Sequence, residues 1–231
     1  MDNKRAKDLG SAVLHWLCFQ SLCGRNTLMS EHYLSQPIGE YLLHHHSGIL
    51  GSEVDHPNLN TAGKRGRPRQ IDFCLFSRDT NRLTAAFELK WVGEKTFDKQ
   101  RVVDDLLRLE VLRNDVPQHV FRYFIVAGNT SNVERNFYSS RANLGAGSGR
   151  VGFFSEFLDF DTDTEKSVDI NSLSTPQKSA CSDFSDYYQS LPPRRFVTQR
   201  VSKITMNDFT VYIWRIRSVR NRKTIVLQRT L

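Results

Sequence analysis

The chain reads as an α/β protein with a mixed central sheet flanked by helices. Three observations carry that expectation. Two β-rich runs, IDFCLFS at 71–77 and LTAAFELKW at 83–91, flank a short polar turn at Arg78-Asp79-Thr80-Asn81, the signature of a hairpin. Residues 97–113 repeat apolar positions with a helical period, Val102, Leu106 and Leu109 on one stripe and Val103 and Leu107 beside it,. VFRYFIVAG at 120–128 is nearly continuous apolar sequence, as in a strand buried on both faces.

Taken from the N-terminus, residues 3–22 place Ala12, Val13, Trp16, Leu17 and Leu22 at roughly helical spacing,. A second helix is expected over 37–46, capped by Ser35, opened by Pro37 and closed by Gly48, with Ile38, Tyr41 and Leu42 as its apolar face,. ILGSEV at 49–54 is a short, weakly marked strand, and a polar loop through GKRGRPRQ at 63–70 leads into the hairpin. Thr96 can cap the helix that follows the hairpin,. The order is then helix, three strands, helix, strand: an αβββαβ core. Residues 151–160 (VGFFSEFLDF) suggest a further strand, 161–174 a polar acidic loop, and Thr175-Pro176 the start of a helix to about Gln189. Pro192-Pro193 punctuates the chain before a β-rich basic tail. The expected organisation is a core over 1–160, a polar linker and helix over 161–192, and a basic β-rich extension over 193–231 packing on the core.

The 231 residues suffice for one full core,. Hydrophobic and charged fractions of 39% and 25% are those of a soluble globular protein,. The net charge of +7 suits a polyanionic partner,. Cys18, Cys23, Cys74 and Cys181 show no C-x-x-C spacing, which argues against zinc and against a disulfide framework,. The N-terminus, MDNKRAKDLG, is charged from the start, and no run approaches the ~18 apolar residues of a membrane span,. A cytoplasmic protein without a membrane partner is the expectation.

Chemistry concentrates in the hairpin. Glu88 and Lys90 in AAFELKW are two apart, so on a strand they share a face, while Phe87, Leu89 and Trp91 take the other,. Asp72 opens the preceding strand between Ile71 and Phe73, and hairpin pairing brings it close to Glu88 and Lys90. Two carboxylates on rigid backbone can hold magnesium, which keeps waters in the rest of its octahedron. A lysine beside them can polarise an attacking water or stabilise a pentacovalent phosphorane. The competing reading is a surface hairpin with a cross-strand salt bridge, an arrangement worth little.

IDFCLF, a connection and FELKW resemble the PD-(D/E)-x-K nuclease superfamily, with its restriction-endonuclease-like fold. In that pattern an Asp opens one strand, Glu-x-Lys follows on the next, and a helix often carries a segment like DDLLRL at 104–109. The resemblance covers roughly residues 37–128, with Ile71 where the family's name has proline. It implies a metal-dependent endonuclease hydrolysing DNA phosphodiester bonds. Asp72 and Glu88 would bind Mg²⁺, with Mn²⁺ as a substitute, and Lys90 would act on the reaction. The family often adds an acidic residue from the preceding helix, and Glu40 in PIGEYLL matches that position as a further catalytic and metal-binding carboxylate, with Glu53 competing. The superfamily also includes non-catalytic nucleic-acid-binding or assembly modules, and subunits that need a partner in restriction, transposition or phage-defence complexes. Double-strand cutting by this fold implies two active sites, hence a homodimer or a partner subunit. DNA and RNA remain alternatives.

Outside the hairpin, Arg65-Gly66-Arg67-Pro68 is similar to an AT-hook core, and Arg65, Arg67 and Arg69 together form a basic loop suited to phosphate,. The tail from Arg194 to Leu231 interleaves Phe196, Phe209, Tyr212 and Trp214 with many basic residues, Arg215, Arg217 and Arg220 among them. That pattern suits a phosphate-tracking surface that positions substrate over the hairpin; an edge sheet protected by charge is the alternative. His44, His45 and His46 are consecutive on a helix and cannot all ligate one ion; a helix C-terminus, where positive charge suits the dipole, accounts for them,.

Overall fold

In this computed structural model, which describes residues 3–59, 70–93, 98–113, 119–138, 152–188 and 192–219, the chain opens with helices α1 (Asn3–Leu22) and α2 (Glu31–His45). α1 has the expected span. α2 begins a turn or more earlier than Ser35 and Pro37 suggest: Ser30 is the cap, its hydroxyl accepting the Tyr33 N–H, and Pro37 lies inside the helix. An interior proline removes a helix hydrogen bond, but Leu34, Pro37, Ile38 and Leu42 are buried, and that burial offsets the loss. His44 and His45 form the last turn of α2 and His46 its C-cap.

Strands β1 (Ile49–Asp55), β2 (Gln70–Phe76) and β3 (Leu83–Val92) follow as an antiparallel series. Helix α3 (Lys99–Val111) crosses back to β4 (Phe121–Asn129), which pairs parallel to β3, as a crossover connection requires. The cap of α3 is Asp98, whose carboxylate accepts the Gln100 and Arg101 N–H groups; Thr96 lies outside the described residues. After a short helical turn α4 (Thr130–Val133) come β5 (Glu165–Asp169), α5 (Thr175–Tyr188), β6 (Arg195–Met206) and β7 (Phe209–Ser218). The seven strands form one mixed sheet in the order β1-β2-β3-β4-β7-β6-β5.

Three sequence-based expectations change here. Residues 152–160 form turns rather than a strand, yet Phe154, Phe157, Leu158 and Phe160 are buried in the core, so their apolar character reflects packing without strand pairing. The described part of 193–231 is not an extension laid on the core. β7 pairs antiparallel with β4 from Arg122↔Ile216 to Asn129↔Phe209, so the tail continues the sheet through its middle. Part of 161–174, expected as loop, is β5 paired with β6.

Strand alternation divides the core in two. Ala86, Val92, Phe124, Val126, Tyr212 and Trp214 point toward α3, α5 and the 154–160 segment. Ala85, Phe87, Leu89, Tyr123, Ile125, Val211 and Ile213 point toward α1 and α2. Successive residues on a strand face opposite sides; the alternation is interrupted on β2, where Ile71 joins the α3 layer while Phe73 and Leu75 join the α1–α2 layer, and on β6 at the register shift between Arg200 and Ser202. None of the described helices is long and apolar enough to cross a membrane.

Candidate active site

The β2–β3 ladder runs from Phe76↔Leu83 to Phe73↔Phe87 and stops there. Beyond that point β2 stays paired with β1 through Val54↔Ile71 and Asp55↔Gln70, while β3 stays paired with β4 through Lys90↔Val126 to Val92↔Gly128. The sheet therefore forks, and the Leu89 N–H on the inner edge of β3 loses its strand partner. Asp72 replaces it, accepting that N–H at Oδ2 over 2.6 Å. A buried backbone donor without a partner is costly, so this bond both closes the fork and orients the carboxylate.

Glu88 and Lys90 share the parity of Ala86 and Val92 and lie on the α3 side of the sheet, while Asp72 sits at the inner edge of the fork against the Leu89 N–H. α3 meets them with charge as well as with its apolar stripe: Asp105 and Arg108 are both 5% exposed. Lys90 Nζ sits 3.0 Å from Asp105 Oδ2 and 3.0 Å from Glu31 Oε2, held between α3 and the first turn of α2. Arg108 Nη2 lies 2.9 Å from Glu88 Oε1 and 2.5 Å from Asp105 Oδ1, its Nε 3.9 Å from Asp104 Oδ2, and its Nη1 donates to the Gln70 carbonyl at 3.3 Å. Tyr188 of α5 donates to Asp104 Oδ2 at 3.2 Å.

Burial raises the Asp72 carboxyl to about 6; the Leu89 N–H opposes the rise, and Glu31 and Asp105 add to it. Burial also pushes Glu88 well above the usual carboxylate range, against the attraction of Arg108 and with further repulsion from Asp105 and Asp72. Desolvation works against charge on Lys90, but Asp105 and Glu31 outweigh it and hold the ammonium firmly protonated. In this cluster Glu31, Asp72, Glu88, Asp104 and Asp105 outnumber the cations Lys90 and Arg108. Carboxylates crowded in this way repel one another unless positive charge joins them.

Hard oxygen donors of the kind a divalent ion takes are present, with Lys90 and Arg108 beside them. Glu88 Oε1 and Asp105 Oδ2 are buried without an aligned hydrogen-bond donor, although cations lie beside them. Magnesium needs only one or two carboxylates, with waters and substrate phosphate for the rest. Among the described residues no three His, Cys, Asp or Glu side chains converge as a complete ligand set; Lys90 and Arg108 lie between the carboxylates. The four cysteines are free thiols.

Of the residues expected from sequence, Asp72, Glu88 and Lys90 come together. Glu40 does not: it is exposed on α2 and accepts from Gln36 Nε2 of its own helix at 3.2 Å. Glu53 is exposed on β1 at a left-handed backbone position, φ 50. The carboxylate that α2 delivers is Glu31, which sequence reasoning misses because Pro37 draws the expected helix start too far along the chain; Ser30 followed by Glu31 is the signal that marks the true start. Asp105 and Arg108 lie within DDLLRL, but helical periodicity ranks apolar positions and does not reveal buried charge.

Arg215 and Arg217 share parity with Val211 and Ile213, so they lie on the α1–α2 side of the sheet, the opposite face to Glu88 and Lys90. Arg215 stacks over Phe121 at 4.8 Å and donates to His119 Nε2 at 3.1 Å, while Arg217 pairs with Glu165. Arg65, Arg67, Arg69 and Arg220 lie outside the described residues. Compared with known proteins, the chain matches no family model, no curated protein and no solved structure.

Proposed function

We propose that this protein is a metal-dependent endonuclease that hydrolyses DNA phosphodiester bonds at the fork between β2 and β3. The observation that carries the reading is the meeting of Asp72, Glu88 and Lys90 at that fork, in a cluster with excess carboxylate. The αβββαβ order supports it, with Asp72 on the second strand and Glu88-x-Lys90 on the third, as the resemblance to the PD-(D/E)-x-K superfamily implies.

A bound magnesium ion, or manganese in its place, would supply Lewis acidity at the scissile phosphate and neutralise charge on the leaving oxygen. Asp72 and Glu88 would hold the ion. Asp72 is pre-oriented for this, since one oxygen is tied to the Leu89 N–H. Lys90, kept cationic by Asp105 and Glu31, offers positive charge toward the developing phosphorane,. The net charge of +7 favours approach of a polyanion,. RNA is the competing substrate class, and a restriction, transposition or phage-defence complex is the setting the resemblance suggests.

Plasmid nicking is the test. The parent should nick supercoiled DNA with Mg²⁺ and stop with chelator, and Glu88→Gln should lose at least about a hundredfold in rate. Full activity in Glu88→Gln would rule this site out. A second reading, a catalytically silent module with the same architecture, draws on Arg108, whose guanidinium already neutralises Glu88. A folded parent that binds DNA without metal-dependent nicking would favour it.

A further inference from the structure

Arg108 is the residue that the proposed chemistry leaves unused. Its guanidinium is nearly enclosed, and its interactions are unequal. On its own helix it hydrogen-bonds Asp105 Oδ1 and faces Asp104 Oδ2; across the gap it also donates to the Gln70 carbonyl. Toward Glu88 it is close, at 2.9 Å, but not aligned: among the described residues Glu88 Oε1 has no hydrogen-bond donor. The approach to Glu88 is thus charge neutralisation, and the firmer attachments are to α3 and β2. A divalent ion taking Glu88 would break no aligned hydrogen bond there. Arg108 would retain Asp105 and Asp104, three and four residues back on α3, where helix geometry keeps side chains adjacent.

We infer that Arg108 is a placeholder cation, which neutralises Glu88 in the metal-free protein and withdraws onto Asp104 and Asp105 when a divalent ion binds. The inference rests on the metal-site reading above and adds what sets the affinity of that site. A buried carboxylate stripped of its counter-charge destabilises the fold, so a placeholder lets the metal-free chain stay folded. The same cation competes with the incoming ion, because like charges repel strongly at short range in a low-dielectric surrounding. Affinity for the metal should therefore be weaker than the carboxylates alone would give.

Titration calorimetry with Mn²⁺ on the full chain tests this, beside thermal unfolding with and without Mn²⁺. Arg108→Gln should bind Mn²⁺ more tightly, by on the order of tenfold. It should melt lower than the parent without metal and gain more on adding it. A folded Arg108→Gln that binds Mn²⁺ no more tightly than the parent overturns the inference. A second measurement needs no variant: side-chain NMR of Arg108 in the parent, titrated with diamagnetic Mg²⁺. The Arg108 Nε–H signal should shift and saturate with the metal, and an unmoved signal at saturation also overturns the inference. Glu88→Gln separates the two levels. If the parent and Glu88→Gln bind Mn²⁺ alike, or neither binds, the metal site itself fails and the placeholder with it. If binding needs Glu88 but ignores Arg108, only the placeholder fails.

Discussion

Lys90 and Glu31 show how much a single side chain is asked to do at the fork. The ammonium is 13% exposed and bridges carboxylates from two helices, so removing it leaves Asp105 and Glu31 to repel each other. Lys90→Ala should cost about 1–3 kcal/mol of stability. It should also lower nicking by about a hundredfold or more, because a cation placed at the transition state contributes several kcal/mol. Mn²⁺ binding should survive, since an ammonium cannot coordinate a cation. A variant that keeps full nicking would mean that Lys90 is structural only. Glu31→Gln should reduce nicking, through Lys90, while Glu40→Gln leaves it unchanged, given that Glu40 is tied to Gln36 of its own helix. The reverse pattern in the same assay would return the helix carboxylate to Glu40.

Helix α3 and the residues leaving β1 form the element that holds Asp105 and Arg108 in place. The last carbonyls of a helix lack partners within it. His56, 5% exposed, supplies one: its Nε2–H donates to the Arg108 carbonyl at 2.9 Å, while Nδ1 accepts the Asn58 N–H at 3.1 Å. Asn58 Oδ1 accepts the Arg113 N–H at 2.6 Å just past the helix end. Burial is the main cause that lowers the His56 pKa to about 4; the bond to the Arg108 carbonyl opposes it and the Arg108 charge reinforces it. A depressed histidine pKa means that the unfolded chain takes up the proton first. The stabilisation is therefore present above about pH 6.5 and is lost as pH falls through about 4. His56→Ala should destabilise by about 1–3 kcal/mol near neutral pH, and the gap to the parent should narrow toward about pH 4. Unfolding melts under both conditions check this, and a gap that widens on acidification would contradict the neutral imidazole.

Across the whole molecule, one sheet separates two faces of different charge character. Glu88 and Lys90 of the carboxylate-rich fork lie on the α3 side, and Arg215 and Arg217 lie on the α1–α2 side. If DNA is cut at the fork, neutralising these two arginines should leave both nicking and the salt dependence of binding nearly unchanged. An arginine that does neutralise a phosphate would contribute about 0.9 to the log–log salt slope. Measuring that slope for Arg215→Gln/Arg217→Gln decides the matter, and a fall of about one to two units would place the polyanion on the arginine face.

The local pattern of apolar and polar residues determined a good deal by itself. It specified the hairpin of β2 and β3, the amphipathic α3, the buried β4, and the same-face placement of Glu88 and Lys90, because strand and helix periods are properties of short stretches of chain. Tertiary structure alone decided where separate stretches meet. The pairing of β7 with β4 joins residues as distant in sequence as Arg122 and Ile216, and no local period encodes a long-range register. That Glu31 rather than Glu40 reaches Lys90 follows from where α2 docks against the fork. Asp105, Arg108 and Glu110 look like the solvated side of α3 in sequence, yet all three are buried. Their burial is set by α5, His56 beyond the end of β1, and the β3, β4 and β7 strands packed against the helix. Charge in a core becomes visible only when the partners that neutralise it are in place.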